Sequence, residues 1–211
     1  MARRDRERKP SRRNPFRNPK PVILIVCEGR NTEPDYFEGL VSEFRNPRVD
    51  IELVGGKGTP KTLVAVAKEY REKALSKADK EGDENLAYDD VWCVFDRDDH
   101  LDIPDAFQMA RDNGIQIAFS NPCFELWLLL HFRDQPGMKH RDAIITLVKE
   151  EIEEYDTDSK HVDINKFING YSNAIQRSKR LSLFADDQRL WDRNPYTDVH
   201  KLTILITSPA T

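Results

Sequence analysis

The 211-residue chain has no run of about 18 apolar residues, so nothing in it reads as a membrane-spanning helix. Its start is Arg-rich, yet no apolar core of signal-peptide form follows before Val22, so no secretory signal is expected. Cysteine is scarce. Cys27, Cys93 and Cys123 make an odd number without C-x-x-C spacing, and each lies in or beside an apolar run. That excludes a disulfide or zinc framework and predicts reduced, buried thiols in a cytoplasmic protein. No internal repeat and no Gly-Ser linker divides the chain. A phosphate-binding P-loop is missing as well. Gly55-Gly56-Lys57-Gly58-Thr59-Pro60-Lys61-Thr62 invites that reading, but Pro60 stands where the motif needs its second glycine. A plain turn is the favoured reading, although backbone N–H groups of a Gly-rich loop can still cradle phosphate.

Charge is abundant but unevenly placed. Charged residues make up 33% of the chain and the net charge is −4. Residues 1–20 carry nine Lys or Arg against two acids, which leaves 24 basic and 35 acidic residues in the rest. A basic arm on an acidic body suits a nucleic-acid binder, and equally suits a solubilising tail. In either case residues 1–20 cannot bury a core and are expected to be disordered.

From residue 21 the pattern alternates. Residues 22–27 are apolar, β-branched and too short for a helix, so they predict a buried strand. Thr32 is placed as an N-cap, Pro34 lies in the first turn, and Tyr36, Phe37, Leu40, Val41 and Phe44 form one helical face. Asn46-Pro47 ends that helix. Strands are expected at 49–54, 91–95 and 115–119, with helices at 61–76 and 102–113, and a polar loop at 77–88. This is a parallel four-stranded sheet flanked by helices, occupying 21–132. Four further helices, at 123–132, 140–154, 165–186 and 197–206, predict a helical extension over 133–211 packed on that core.

Ligands of open parallel sheets bind beyond the carboxyl ends of the strands. Glu28 leaves the first strand, Asp96 and Asp98 the third, and Glu125 follows the fourth. Four carboxylates in one crevice repel one another by several kcal/mol per close pair, roughly, at intermediate dielectric. Protonation or divalent cations would relieve this, and an all-oxygen set suits Mg²⁺, Mn²⁺ or Ca²⁺ rather than zinc. Each acid also has an ordinary explanation. Glu28 can face a helix dipole, Asp96 and Asp98 can form a turn, Asp98 can pair with Arg97 or Lys57, and Glu125 can be a first-turn acid. Phe124, Trp127, Leu128, His131 and Phe132 have the spacing of core residues.

Three segments together resemble one family. These are Cys27-Glu28-Gly29-x-x-Thr32-Glu33-x-x-Tyr36-Phe37, Asp96-Arg97-Asp98-Asp99-His100, and Asn121-Pro122-x-Phe124-Glu125-x-Trp127-Leu128-Leu129-Leu130-His131-Phe132. With the later Asn194-Pro195-x-Thr197-x-Val199 they are similar to the RloB family over about residues 20–200. Members resemble compact Toprim proteins, the Rossmann-like module of topoisomerases, primases and OLD-type nucleases. The resemblance implies a Toprim-like core with two Mg²⁺ or Mn²⁺ ions held by Glu28, Asp96, Asp98 and Glu125.

It further implies a nuclease effector that hydrolyses DNA or RNA (tRNA included) in restriction-linked, anti-phage abortive infection. An ABC- or AAA-type ATPase (RloA-like) is the implied partner, and a homo-oligomer stays open. Glu33 and His100 are candidates to move a proton, with Lys57 a third catalytic candidate. His100 has a neutral-range imidazole, but a surface turn histidine is the competing reading. Arg30, Arg97 and Lys160 are candidates to hold substrate, the arginines through phosphate oxygens; Tyr155 is a weaker one. Two other readings remain. One is a non-catalytic regulatory subunit of an ATPase complex, and the other is a different Toprim phosphoryl-transfer chemistry.

Overall fold

The computed structural model describes residues 21–53, 58–97, 102–152, 155, 161–183 and 190–208. Strand β1 (Ile23–Cys27) is an inner strand of the sheet, with all five side chains buried. Alternation explains why every residue must be apolar. Ile23, Ile25 and Cys27 enter one hydrophobic cluster, while Leu24 and Val26 enter another on the opposite face. β1 pairs in parallel with β2 (Val49–Leu53) and with β3 (Asp90–Asp96), and β3 pairs in parallel with β4 (Gln116–Asn121).

The helices divide between the two faces. α1 (Thr32–Glu43) packs Tyr36, Phe37 and Leu40 into the cluster that holds Cys27. α2 (Pro60–Glu81) and α3 (Ile103–Asp112) cover the other face with Leu63, Val64, Ala67, Ala106 and Ala110. The remaining helices, α4 (Glu125–Leu129), α5 (Arg141–Glu151), α6 (Tyr171–Ser182) and α7 (Val199–Thr207), all join α1 on its face. All of residues 123–131 are buried, so α4 runs through the core and is apolar nearly all round, Glu125 excepted.

Among the described residues the sheet has five strands, not the expected four. Tyr196–Thr197 forms β5 antiparallel to β4, in the order β2-β1-β3-β4-β5. Two residues carry no periodic signal, and the helix expected from 197 begins only at Val199. β5 also explains why β4 reaches the polar pair Ser120 and Asn121, which stand opposite Thr197 and Tyr196. The Ser120 and Thr197 hydroxyls bond at 3.0 Å.

Other boundaries move for local reasons. α2 runs on to Glu81 because Ala78 is buried and Gly82, at φ 65°, closes the helix in the left-handed region. The expected helix over 165–186 begins instead as two 3₁₀ turns, Ile164–Lys166 and Ile168–Gly170. Gly170 approaches the His131 carbonyl too closely for any Cβ. Thr32 is the first residue of α1 rather than its cap; the cap position is Asn31, whose side chain makes no capping bond to the helix. All three cysteines are buried and free, and burial raises each thiol's pKa. The basic arm, 1–20, lies outside the described residues.

Candidate active site

Strand register carries the acids to one edge. Asp96 is the last residue of β3 and stands opposite Ser120 of β4, and Arg97 N–H closes the ladder on Ser120 O at 2.8 Å. Glu125 opens α4 shortly after β4 ends, across the cis Asn121–Pro122 bond. Glu33 is the second residue of α1, reached from β1 by one short turn. All three are buried, with Asp96 8%, Glu33 6% and Glu125 2% exposed.

Gly29 decides where Glu33 sits. A Cβ at position 29 would stand 2.7 Å from Glu33 Oε1 and closer still to the rest of that carboxylate. The acid therefore lies folded against the backbone at the end of β1, in space that only glycine leaves. Glu28, half-buried, is the residue before it, and its N–H extends the β1–β3 ladder to Val94 O at 3.1 Å.

Asp96 is the electrostatic focus. Its pKa is raised well above the usual carboxylate range, first by burial, then by the charges of Glu33 and Glu125. A hydrogen bond from the Phe124 backbone and the Arg141 guanidinium oppose the rise. Arg141 Nη2 lies 3.7 Å from Asp96 Oδ2. The other oxygen, Oδ1, is buried and has no hydrogen-bond partner among the described residues. A buried acceptor without a partner costs about 1–3 kcal/mol, so it stands out in a native fold.

Glu125 has a dedicated donor. The Tyr155 hydroxyl donates to Glu125 Oε1 at 3.1 Å and also bonds the Thr32 hydroxyl. Burial raises the Tyr155 pKa, so it stays a donor through the neutral range. Tyr155 is 5% exposed and therefore braces an acid rather than reaching toward substrate.

The structure thus brings Glu33, Asp96 and Glu125 together, with Glu28 on the same edge. Arg30 is exposed after the turn and Arg97 is half-buried beside Asp96. Lys57, Asp98, His100 and Lys160 lie outside the described residues. Arg141 and the role of Tyr155 had no sequence signal, since both come from distant segments. His131 belongs to the core. It bonds the Tyr36 hydroxyl at 3.2 Å, and burial pushes its pKa down to about 4.

Among the described residues no group of three or more His, Cys, Asp and Glu side chains is set in metal-ligand geometry. The donor chemistry nonetheless fits a hard cation. The acids are oxygen donors, and Asp96 Oδ1 is buried without a partner among the described residues. Two charge states relieve the cluster: carboxylates that hold protons, or carboxylates ionised around a cation. Among the described residues no helix is long and apolar enough to cross a membrane.

No curated protein and no solved structure matches the chain. Residues 23–206 match the family model described as RloB, RloB-like protein. That match spans β1 to α7, the whole of the sheet and both helical layers, and the chain belongs to the RloB-like family.

Proposed function

We propose that the chain is a Toprim-type, Mg²⁺- or Mn²⁺-dependent nuclease that hydrolyses nucleic-acid phosphodiesters. In this reading it acts in the cytoplasm as the effector of an anti-phage system, with an ABC- or AAA-type ATPase as partner. The observation that carries the proposal is Asp96 Oδ1, a buried oxygen without a hydrogen-bond partner among the described residues, beside the charges of Glu33 and Glu125. An acid left so costly to keep suggests a task that needs it.

Asp96 and Glu125 would hold the cation, with Glu28 and Asp98 completing the set. When bound, the cation supplies Lewis-acid stabilisation of charge on the phosphate. The chain's own groups do the rest. Tyr155 fixes the direction of Glu125 Oε1. Arg141 offsets one of the negative charges and limits repulsion before substrate arrives. Glu33, held against Gly29, is the group best placed to take a proton from the attacking water. The order β2-β1-β3-β4 and the acids at strand ends support the Toprim reading.

The test is co-expression with the partner ATPase and sequencing of the cleaved nucleic acids, comparing the parent with Asp96→Asn and Glu125→Gln. Cleavage in the parent alone supports the proposal, and identical patterns in all three sink it. Thermal melts of the purified parent should also rise with Mn²⁺, and those of Asp96→Asn should not.

A further inference from the structure

A second charged feature lies on the same sheet edge. Asp134, Gln135, Arg177, Arg180, Leu181 and Arg193 line a cavity of about 430 Å³. Three guanidinium groups meet one carboxylate there. Asp134 Oδ1 serves two of them, Arg177 Nε at 3.3 Å and Arg180 Nη2 at 3.2 Å. Arg177 Nη1 donates to Leu130 O at 2.7 Å, so that arginine is anchored to the end of α4. Arg193 differs. Its Nη1 is buried and has no hydrogen-bond partner among the described residues. The cavity therefore carries excess positive charge and one buried donor in need of an acceptor.

Its position links it to the acids. Arg193 precedes β5, which pairs with the carboxyl end of β4. Trp191 O accepts from Asn121 Nδ2 at 3.0 Å. Asn194 next door clamps Lys139 from both sides, accepting from its N–H at 3.2 Å and donating to its carbonyl at 2.8 Å. Two residues on, a span of at most about 7 Å of chain, Arg141 reaches Asp96. Cavity and acid cluster thus share one continuous edge.

We propose that the Arg177–Arg180–Arg193 cavity takes a phosphate group of the polynucleotide strand, away from the phosphate that is cut. This rests on the nuclease reading for its substrate. Guanidinium forks match phosphate oxygens in pairs, and Arg193 Nη1 gains the acceptor it lacks. A strand held at this cavity is positioned along the edge where Asp96 and Glu125 lie.

The test measures binding without hydrolysis. Full-length parent, Arg193→Gln, Arg193→Lys and Arg180→Gln are titrated in EDTA with a fluorescein-labelled single-stranded oligonucleotide over a range of salt. The basic residues 1–20 are common to all four, so differences report the cavity. Arg180 is 62% exposed at its side chain, so its variant keeps the fold if the Arg193 variants do not. Each glutamine variant is expected to bind roughly 3- to 10-fold more weakly, with a salt slope shallower by about 0.7 for each phosphate no longer neutralised. Arg193→Lys is expected to keep the slope and lose part of the affinity. Affinity and slope equal to the parent in both glutamine variants overturn the proposal. So does displacement of the oligonucleotide by an equal concentration of a nucleoside monophosphate, which marks a mononucleotide site, or of inorganic phosphate, which marks a simple anion site. Absence of metal-dependent cleavage in the parent removes the nuclease reading but leaves a measured slope difference intact. Equal slopes remove the cavity even from an active nuclease.

Discussion

Two glycines separate the fold from the site. Gly29 and Gly170 both lack room for a Cβ, but what each would strike differs. At Gly29 the obstacle is the tip of Glu33, which can swing away at about 0.5–1.5 kcal/mol for a poorer rotamer. Alanine returns roughly 0.4–1 kcal/mol by restricting the unfolded chain, since Gly29 does not have a positive φ. Gly29→Ala should therefore change stability by under about 1 kcal/mol, a urea midpoint shift below about 0.5 M at a slope near 2 kcal/mol/M. At Gly170 the obstacle is backbone, with the His131 carbonyl carbon 2.8 Å from the added atom. Overpacking there should cost about 1–3 kcal/mol and lower the midpoint by about 0.5–1.5 M. Function should reverse the order. Gly29→Ala moves the Glu33 carboxylate out of the acid cluster, and misplacing a reacting group by about 1 Å costs on the order of 100-fold in rate. Metal-dependent cleavage with the partner ATPase should fall by that factor in Gly29→Ala. It should remain near parental in Gly170→Ala below its melting temperature. Parental cleavage in Gly29→Ala would refute the role given to Glu33.

Two further outcomes follow from buried groups. The His131 pKa is pushed down to about 4 by burial, against about 6.5 unfolded, so its contribution is complete above pH 6.5 and lost as pH falls toward 4. That loss is on the order of 3 kcal/mol, and His200, shifted the same way, adds to it; in urea melts at pH 7 and pH 5, His131→Gln should lose distinctly less stability between the two than the parent, and an equal loss would contradict the burial argument. Tyr155→Phe deletes the donor to Glu125 and should cost about 1–3 kcal/mol in urea melts at pH 7. A variant as stable as the parent would contradict the bracing role given to the Tyr155 hydroxyl.

The alternation of strand and helix is legible because the sheet is buried on both faces. A strand such as β1 must then be apolar throughout, and its ends stand out as the first charges. Asp96 and Glu125 are visible for the same reason: they are the first acids beyond buried runs. β5 is invisible, because a two-residue strand is made by its partner β4 rather than by its own pattern. The end of α2 is hidden by a polar run that suggests a loop, while Ala78 and Gly82 extend and then close the helix. The company that Asp96 keeps is legible only in part. Glu33 reaches it by lying against Gly29, a close approach that no spacing rule expresses. Arg141 and Tyr155 arrive from segments whose place depends on packing of the whole helical layer.

That dependence makes the boundary at residue 132 one of sequence pattern rather than of stability. Ten buried members of the larger cluster, among them Val148, Phe167 and Leu202, come from beyond it. They pack on α1 and on the same sheet face as Ile25 and Cys27. At about 1.5–3 kcal/mol for each buried apolar side chain, their removal forfeits on the order of 15 kcal/mol or more. A whole domain is stable by only about 5–15 kcal/mol. α7 also caps the turn after α1, where Asn46 Nδ2 donates to Ile206 O at 2.9 Å. A fragment of residues 21–132 should therefore fail to fold, although it contains four parallel strands and every acid of the site. Circular dichroism and urea titration of that fragment check this, and a cooperative transition would refute it. Loss of the fold is expected because the later helices are one wall of the core; they also carry Arg141 and Tyr155 to acids supplied by the first half.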